Sequence, residues 1–171
     1  WSGLAQVADL PGDVLEVGVW RGGTGVLLAE RSRQLCLDAT VLLADTFEGV
    51  VGAGELDPWY EGGEHSDTSV EVVQSLLARF PGVRTELAVG RFPDETGTGL
   101  AERSLRMVHV DVDVYESALS TLKWVWPRLG VGGLVVFDDY GSYECEGIAT
   151  LGSQLMAAAG TVLRGVTNLN G

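Results

Sequence analysis

The stretch Asp13-Val-Leu-Glu-Val-Gly-Val-Trp-Arg-Gly-Gly-Thr-Gly25 decides the fold. A short apolar run, Val14 to Val19, holds one acid at Glu16, breaks into glycines, and gives way to the helix-like pattern Val26-Leu27-Leu28-Ala29. That order predicts a buried strand, a tight turn and a helix N-terminus. Glycines in such a turn let the backbone approach a ligand closely, and the helix start offers unpaired N–H groups. In an open α/β sheet, a nucleotide-like ligand binds at this place. Gly18, Gly22, Gly23 and Gly25 do not have the G-x-G-x-x-G spacing, which argues against pyrophosphate binding and against an NAD(P)-dependent oxidoreductase. Taken alone, the segment also reads as a plain strand–turn–helix joint, and the acids farther along the chain give it weight.

Working outward, a short helix over Leu4 to Leu10 ends at Pro11-Gly12 and leads into this first strand. A helix follows from about Thr24 to Leu35, then a second strand, Thr40 to Ala44, ending on Asp45. An acid at that tip can accept from both hydroxyls of a ribose, or serve simply as a turn or cap residue. Phe47 to Asp67 is glycine- and acid-rich, with Trp59, Tyr60 and His65 inside it, and reads as a lid or binding loop. Its aromatics either stack on a ring or pin the loop to the body.

Ser69 to Phe80 has amphipathic spacing, with Asp67, Thr68 or Ser69 as cap and Pro81-Gly82 as stop. Thr85 to Val89 makes strand three and runs into Gly90-Arg91-Phe92; Glu95 to Arg103 is at most weakly helical. Leu105 to Asp113 is strand four, whose alternation places His109, Asp111 and Asp113 on one face. A helix over Ser117 to Leu129, a strand over Leu134 to Phe137 ending on Asp138-Asp139, a helix over Glu146 to Ala159 and a sixth strand over Thr161 to Val166 complete the pattern.

Regular strand–helix alternation implies a mostly parallel, doubly wound sheet with helices on both faces, in a single domain with a lid over about 47–68. Parallel strands end at one edge, so Glu16, Gly18, Asp45, Gly90, Asp111, Asp138 and Asp139 converge there. Clustered carboxylates repel one another unless a cation lies between them, and an all-oxygen set suits Mg²⁺.

Composition narrows the field. The chain has 171 residues, 46% of them hydrophobic and 20% charged, which is globular. With 24 acids against 11 bases its net charge is -13, and nothing in it would neutralise a phosphate backbone, so a nucleic-acid partner is not expected. Cys36 and Cys145 lack both disulfide-framework and zinc-ligand spacing, consistent with a reducing, cytoplasmic setting. No apolar run has transmembrane length and no signal peptide is recognisable, so no membrane partner is expected.

Four blocks carry a family resemblance: Leu-Glu-Val-Gly-Val-Trp-Arg-Gly-Gly-Thr (15–24), Ala-Asp-Thr-Phe-Glu-Gly (44–49), His-Val-Asp-Val-Asp-Val-Tyr-Glu-Ser (109–117) and Gly-Gly-Leu-Val-Val-Phe-Asp-Asp-Tyr-Gly (132–141). In these blocks the chain resembles the class I S-adenosylmethionine-dependent methyltransferases, and within them the Mg²⁺-dependent macrocin O-methyltransferase family, which methylates sugar hydroxyls of macrolide antibiotics and related natural products. The resemblance implies a Rossmann-like class I methyltransferase fold. It implies that Glu16, Gly18, Trp20 and Thr24 line the methionine end of S-adenosylmethionine. Asp45 would hold the ribose, Gly90, Arg91 and Phe92 would border the adenine, and Val19, Thr46 and Asp111 would also contact the cofactor.

It also implies Asp111, Asp138 and Asp139 as Mg²⁺ ligands, and a hydroxylated small-molecule acceptor. Catechol-type relatives place a lysine base three residues beyond the position of Asp111; here that residue is Val114, which leaves Asp113 and His65 as candidates for the base. Family members commonly carry a further N-terminal helical segment and a final strand that build acceptor-site and homo-oligomer contacts. A phenol or catechol acceptor, and a cofactor-binding member without turnover, stay open at this level.

Overall fold

Each expected strand among the described residues is present, and all five lie parallel. The computed structural model describes residues 1–158; the expected strand Thr161 to Val166 lies outside them. In chain order the elements are α1 (Ser2–Gln6), β1 (Asp13–Val17), α2 (Gly23–Gln34), β2 (Thr40–Asp45), α3 (Val70–Leu77), β3 (Arg84–Val89), β4 (Leu105–Val110), α4 (Tyr115–Val125), β5 (Leu129–Phe137) and α5 (Glu146–Ala157), with short 3₁₀ turns at Gly97–Leu100 and Trp126–Arg128. Spatially the strands run β3-β2-β1-β4-β5, so the winding reverses between β1 and β4. A crevice opens at that reversal, beyond the carboxyl ends of the two strands.

The central strands are apolar almost throughout because both of their faces are covered. Alternation along them divides the core in two. Leu15, Val17, Leu42, Ala44, Val108 and Val110 pack with Ala118, Leu122 and Val125 of α4 and with Ile148 and Leu151 of α5. Val14, Val41, Leu43 and Met107 pack with Leu4, Leu28, Ala29 and Val73 from α1, α2 and α3 on the opposite face.

Element ends differ from the sequence reading where local geometry intervenes. The helix α3 starts behind Ser69, whose hydroxyl accepts from Val72 N at 3.3 Å, and stops at Leu77; Arg79 N and Phe80 N then bond back to Leu76 O and Leu77 O as tighter turns. Strand β5 begins at Leu129 rather than Leu134, because a bulge absorbs the glycines: Leu105 pairs with Leu129, yet Met107 pairs with Leu134. Strand β4 stops at Val110, three residues short of the expected end. Asp111 and Asp113 therefore stand in a turn, with Asp113 in the left-handed region at φ 65°, and the alternation that put them on one face with His109 does not apply.

Candidate functional site

Beyond the carboxyl ends of β1, β2 and β4 lies a cavity of about 290 Å³. Gly18, Trp20, Asp45, Thr46, Gly90 and Phe92 line it together with Asp111, Asp113 and His65. Gly18 is required on two counts: its φ is +86°, and a Cβ there would collide with the carbonyl oxygen of Asp111. The turns after β1 and β4 therefore close on each other only because this residue has no side chain.

Asp45 organises the glycine turn. Its Oδ2 accepts from Val19 N at 2.6 Å and Trp20 N at 2.8 Å, and its Oδ1 accepts from Phe47 N at 2.7 Å. Of the about four acceptor positions on a carboxylate, three are thus engaged by main chain. Trp20 is further fixed by the 47–68 segment: its indole N–H donates to Asp67 Oδ1 at 2.7 Å, its carbonyl accepts from the Thr68 hydroxyl, and its ring meets His65 edge-on at 5.6 Å.

Not every residue assigned to the cofactor reaches the cavity wall. Val19 contributes its N–H to Asp45, Arg91 gives its N–H to Glu95 Oε2 at 2.8 Å, and Thr24 sits half-buried in the first turn of α2. Glu16 is 1% exposed and pairs across the β1–β4 register with His109, whose Nδ1 is 3.3 Å from Glu16 Oε1. The other ring nitrogen of His109, Nε2, is 3.3 Å from Asp138 Oδ1. Burial opposes charge on this imidazole, but the Asp138 and Glu16 carboxylates outweigh it and hold its pKa at about 10. Desolvation dominates at Glu16, whose pKa is raised, whereas the His109 hydrogen bond lowers that of Asp138.

The three acids expected to share a cation do come together. One carboxylate oxygen each from Asp111, Asp138 and Asp139 lies within 4.8 Å of the others. Burial, then the neighbouring Asp139 and Asp138, pushes the Asp111 carboxyl up to about 7; burial and Asp113 push Asp139 up to about 6. Such shifts are those of buried acids confined together, with the His109 imidazolium offsetting only part of their repulsion. A second grouping, Asp113, Asp139 and Cys145, is equally compact. That grouping includes a soft sulfur donor, so the all-oxygen set is the one that fits a hard divalent ion.

Asp57 had no local signal in the sequence, whereas Tyr60 pins the loop to the body, one of the two readings open to its aromatics. Asp57, 2% exposed, accepts from Tyr115 N at 2.9 Å and from Gly54 N at 3.1 Å, which fastens the 47–68 segment to the start of α4. Tyr60 donates its hydroxyl to Asp113 Oδ1 at 3.0 Å, and the Asp113 N–H donates to Asp139 Oδ2 at 3.0 Å. Val114, where the catechol-type pattern has its lysine, is fully buried at the head of α4.

Known proteins are similar to this chain in sequence and in fold. The model of the macrocin O-methyltransferase (TylF) family matches residues 4–151. Demethyldecarbamoylnovobiocin O-methyltransferase of Streptomyces niveus is 34% identical over 148 residues, covering 77% of this chain and 54% of that protein. The mycinamicin III 3''-O-methyltransferase of Micromonospora griseorubida is 33% identical over 153 residues, covering 80% and 58%. Among solved structures, that of the O-methyltransferase NovP aligns over 92% of this chain and 70% of its own with TM-score 0.73 and 27% identity. The calicheamicin methyltransferase CalS11 shares the fold, with TM-score 0.74 and 21% identity over 90% of this chain and 67% of its own. The chain spans about half the length of the curated relatives it matches. By the match over residues 4–151 and the identity to these relatives, it belongs to the macrocin O-methyltransferase family.

Proposed function

We propose that this chain forms the cofactor- and metal-bearing part of an O-methyltransferase that methylates a sugar hydroxyl of a natural product. The observation that carries the reading is the meeting of Asp111, Asp138 and Asp139 within 4.8 Å, beside the cavity at the winding reversal. Relatives of the chain named for novobiocin and mycinamicin O-methylation support the acceptor class.

S-adenosylmethionine, when bound, supplies an electrophilic methyl group on a sulfonium. Gly18, Trp20, Asp45, Thr46, Gly90 and Phe92 would hold it, with Val19 and Arg91 shaping the turns and Glu16 and Thr24 supporting the wall from behind. Mg²⁺, when bound to Asp111, Asp138 and Asp139, supplies charge that lowers the pKa of a hydroxyl placed on it.

The chain's own residues do the rest. Methyl transfer is an in-line displacement, so most of the task is alignment of the attacking oxygen. Asp113 is the base we favour over His65. Burial raises its pKa, and two hydrogen bonds fix its position at the cavity wall. His65 is exposed, and its ring is steadied by an edge contact with Trp20. The segment over 47–68 borders the same cavity through Gly49, Val50 and Val51, which keeps water from that side.

Transfer of a labelled methyl group from S-adenosylmethionine to a deoxysugar-bearing acceptor tests the reading. Product is expected with Mg²⁺, loss of product with EDTA, and recovery on adding Mg²⁺ back. Full turnover in EDTA would overturn the metal assignment.

A further inference from the structure

Asp57 is fastened at the meeting of two helix starts. Its carboxylate accepts from Tyr115 N in α4, and it packs so tightly on Gly147 in α5 that a Cβ there would overlap its Oδ1. Two consecutive aromatic residues come shortly after this anchor, and they are used differently. Tyr60 is half-buried, bonded to Asp113 at 3.0 Å and 3.6 Å from Cys145 Sγ. Trp59 stays 52% exposed, with its indole N–H donating to Glu146 Oε1 at 3.0 Å. Its ring lies 5.8 Å from that of Tyr143, the planes inclined at 41°, and Tyr143 is itself 80% exposed.

Short, well-held paths join both rings to the carboxylates. Trp59 is adjacent to the tyrosine that holds Asp113. Tyr143 lies in the turn that begins with Asp138 and Asp139 and ends at Cys145, the Tyr60 contact. Neither ring gains much from burial where it stands, yet a hydrogen bond to Glu146 fixes the orientation of Trp59. An amphipathic ring face kept open, one residue from the tyrosine bonded to Asp113, suits a ligand that is apolar on one face and hydroxylated at its edge.

We propose that Trp59 and Tyr143 form an acceptor-ring subsite, with Glu146 at its rim. The C–H face of a pyranose packs on the aromatic pair, whose electron-rich faces favour polarised C–H groups. Glu146 accepts from a ring hydroxyl, and the Asp57 anchor keeps this platform in fixed register with Asp113. The inference rests on the sugar O-methyltransferase reading and names where the sugar sits.

The test is saturation-transfer NMR on the full-length protein with methyl α-L-rhamnopyranoside, Mg²⁺ and S-adenosylhomocysteine, with catechol as a parallel probe. Ring C–H protons of the glycoside are expected to saturate in the parent protein. Trp59→Ala and Tyr143→Ala are each expected to weaken glycoside binding by about tenfold, with S-adenosylmethionine affinity unchanged. Tyr143→Ala serves if Trp59→Ala fails to fold, because Tyr143 is almost fully in solvent. Parent-like glycoside affinity in both variants, or saturation of catechol alone, would overturn the proposal. If the parent protein binds the glycoside but transfers no methyl group, the functional reading fails while the subsite stands.

Discussion

At the residue scale, the site's chemistry comes from acids held where charge is costly. Asp111 and Asp139 have pKa values of about 7 and about 6 against an ordinary 3.8, so in the metal-free fold they hold their protons to higher pH than free aspartates do. Their contribution to stability is complete below the unfolded value and is lost as pH rises through the folded values. The melting temperature of the metal-free protein is therefore expected to fall between about pH 4 and pH 7. Mg²⁺ should raise it clearly at about pH 8 and barely at about pH 5, where protons compete for the ligands. Differential scanning calorimetry across that range checks this. The variant Asp139→Asn should lose most of the Mg²⁺ response, and an undiminished response would remove Asp139 from the ligand set.

At the element scale, function depends on how helix starts are used. Asp57 reaches across the fold to satisfy the N–H of Tyr115, an orphan donor of α4, and it fits only because residue 147 in α5 is glycine. Gly147→Ala is expected to expel the Asp57 carboxylate and destabilise the fold by about 1–3 kcal/mol, the penalty of a buried unsatisfied group. Limited proteolysis should then cut within 50–65, while the parent resists. Urea denaturation together with a digestion time course measures both effects; an unchanged digestion pattern would separate Asp57 from control of the loop. At α3 the lever is local, and Ser69→Ala should cost about 0.5–2 kcal/mol through loss of the bond to Val72 N.

At the scale of the whole molecule, one sheet divides two cores, and consecutive residues serve opposite sides of it. Leu42 packs toward α4 and α5, and Leu43 packs toward α1, α2 and α3, both fully buried. Leu42→Ala and Leu43→Ala should each cost about 2–5 kcal/mol in equilibrium unfolding. A near-neutral result for either would mean that its side of the sheet is uncovered. The -13 charge of the chain makes its summed field negative, which suits a cation site at the strand ends.

Sequence alone determined what period and punctuation can encode. Apolar runs broken by glycine and acid at regular intervals specify a wound parallel sheet, because burial on both faces demands continuous apolar strands and each turn needs its own residues. Carboxyl-terminal acids follow from that topology, since parallel strands finish at one edge, and so Asp45, Asp111, Asp138 and Asp139 were legible as neighbours. Tertiary structure decided which atoms those acids meet. It buried Glu16 against His109, set Asp113 beyond the end of β4 with a left-handed φ rather than on a strand face, and made Asp57 the anchor of a loop whose partners lie far along the chain. These choices rest on packing and hydrogen bonds between distant segments, and no local pattern in the chain records contacts of that kind.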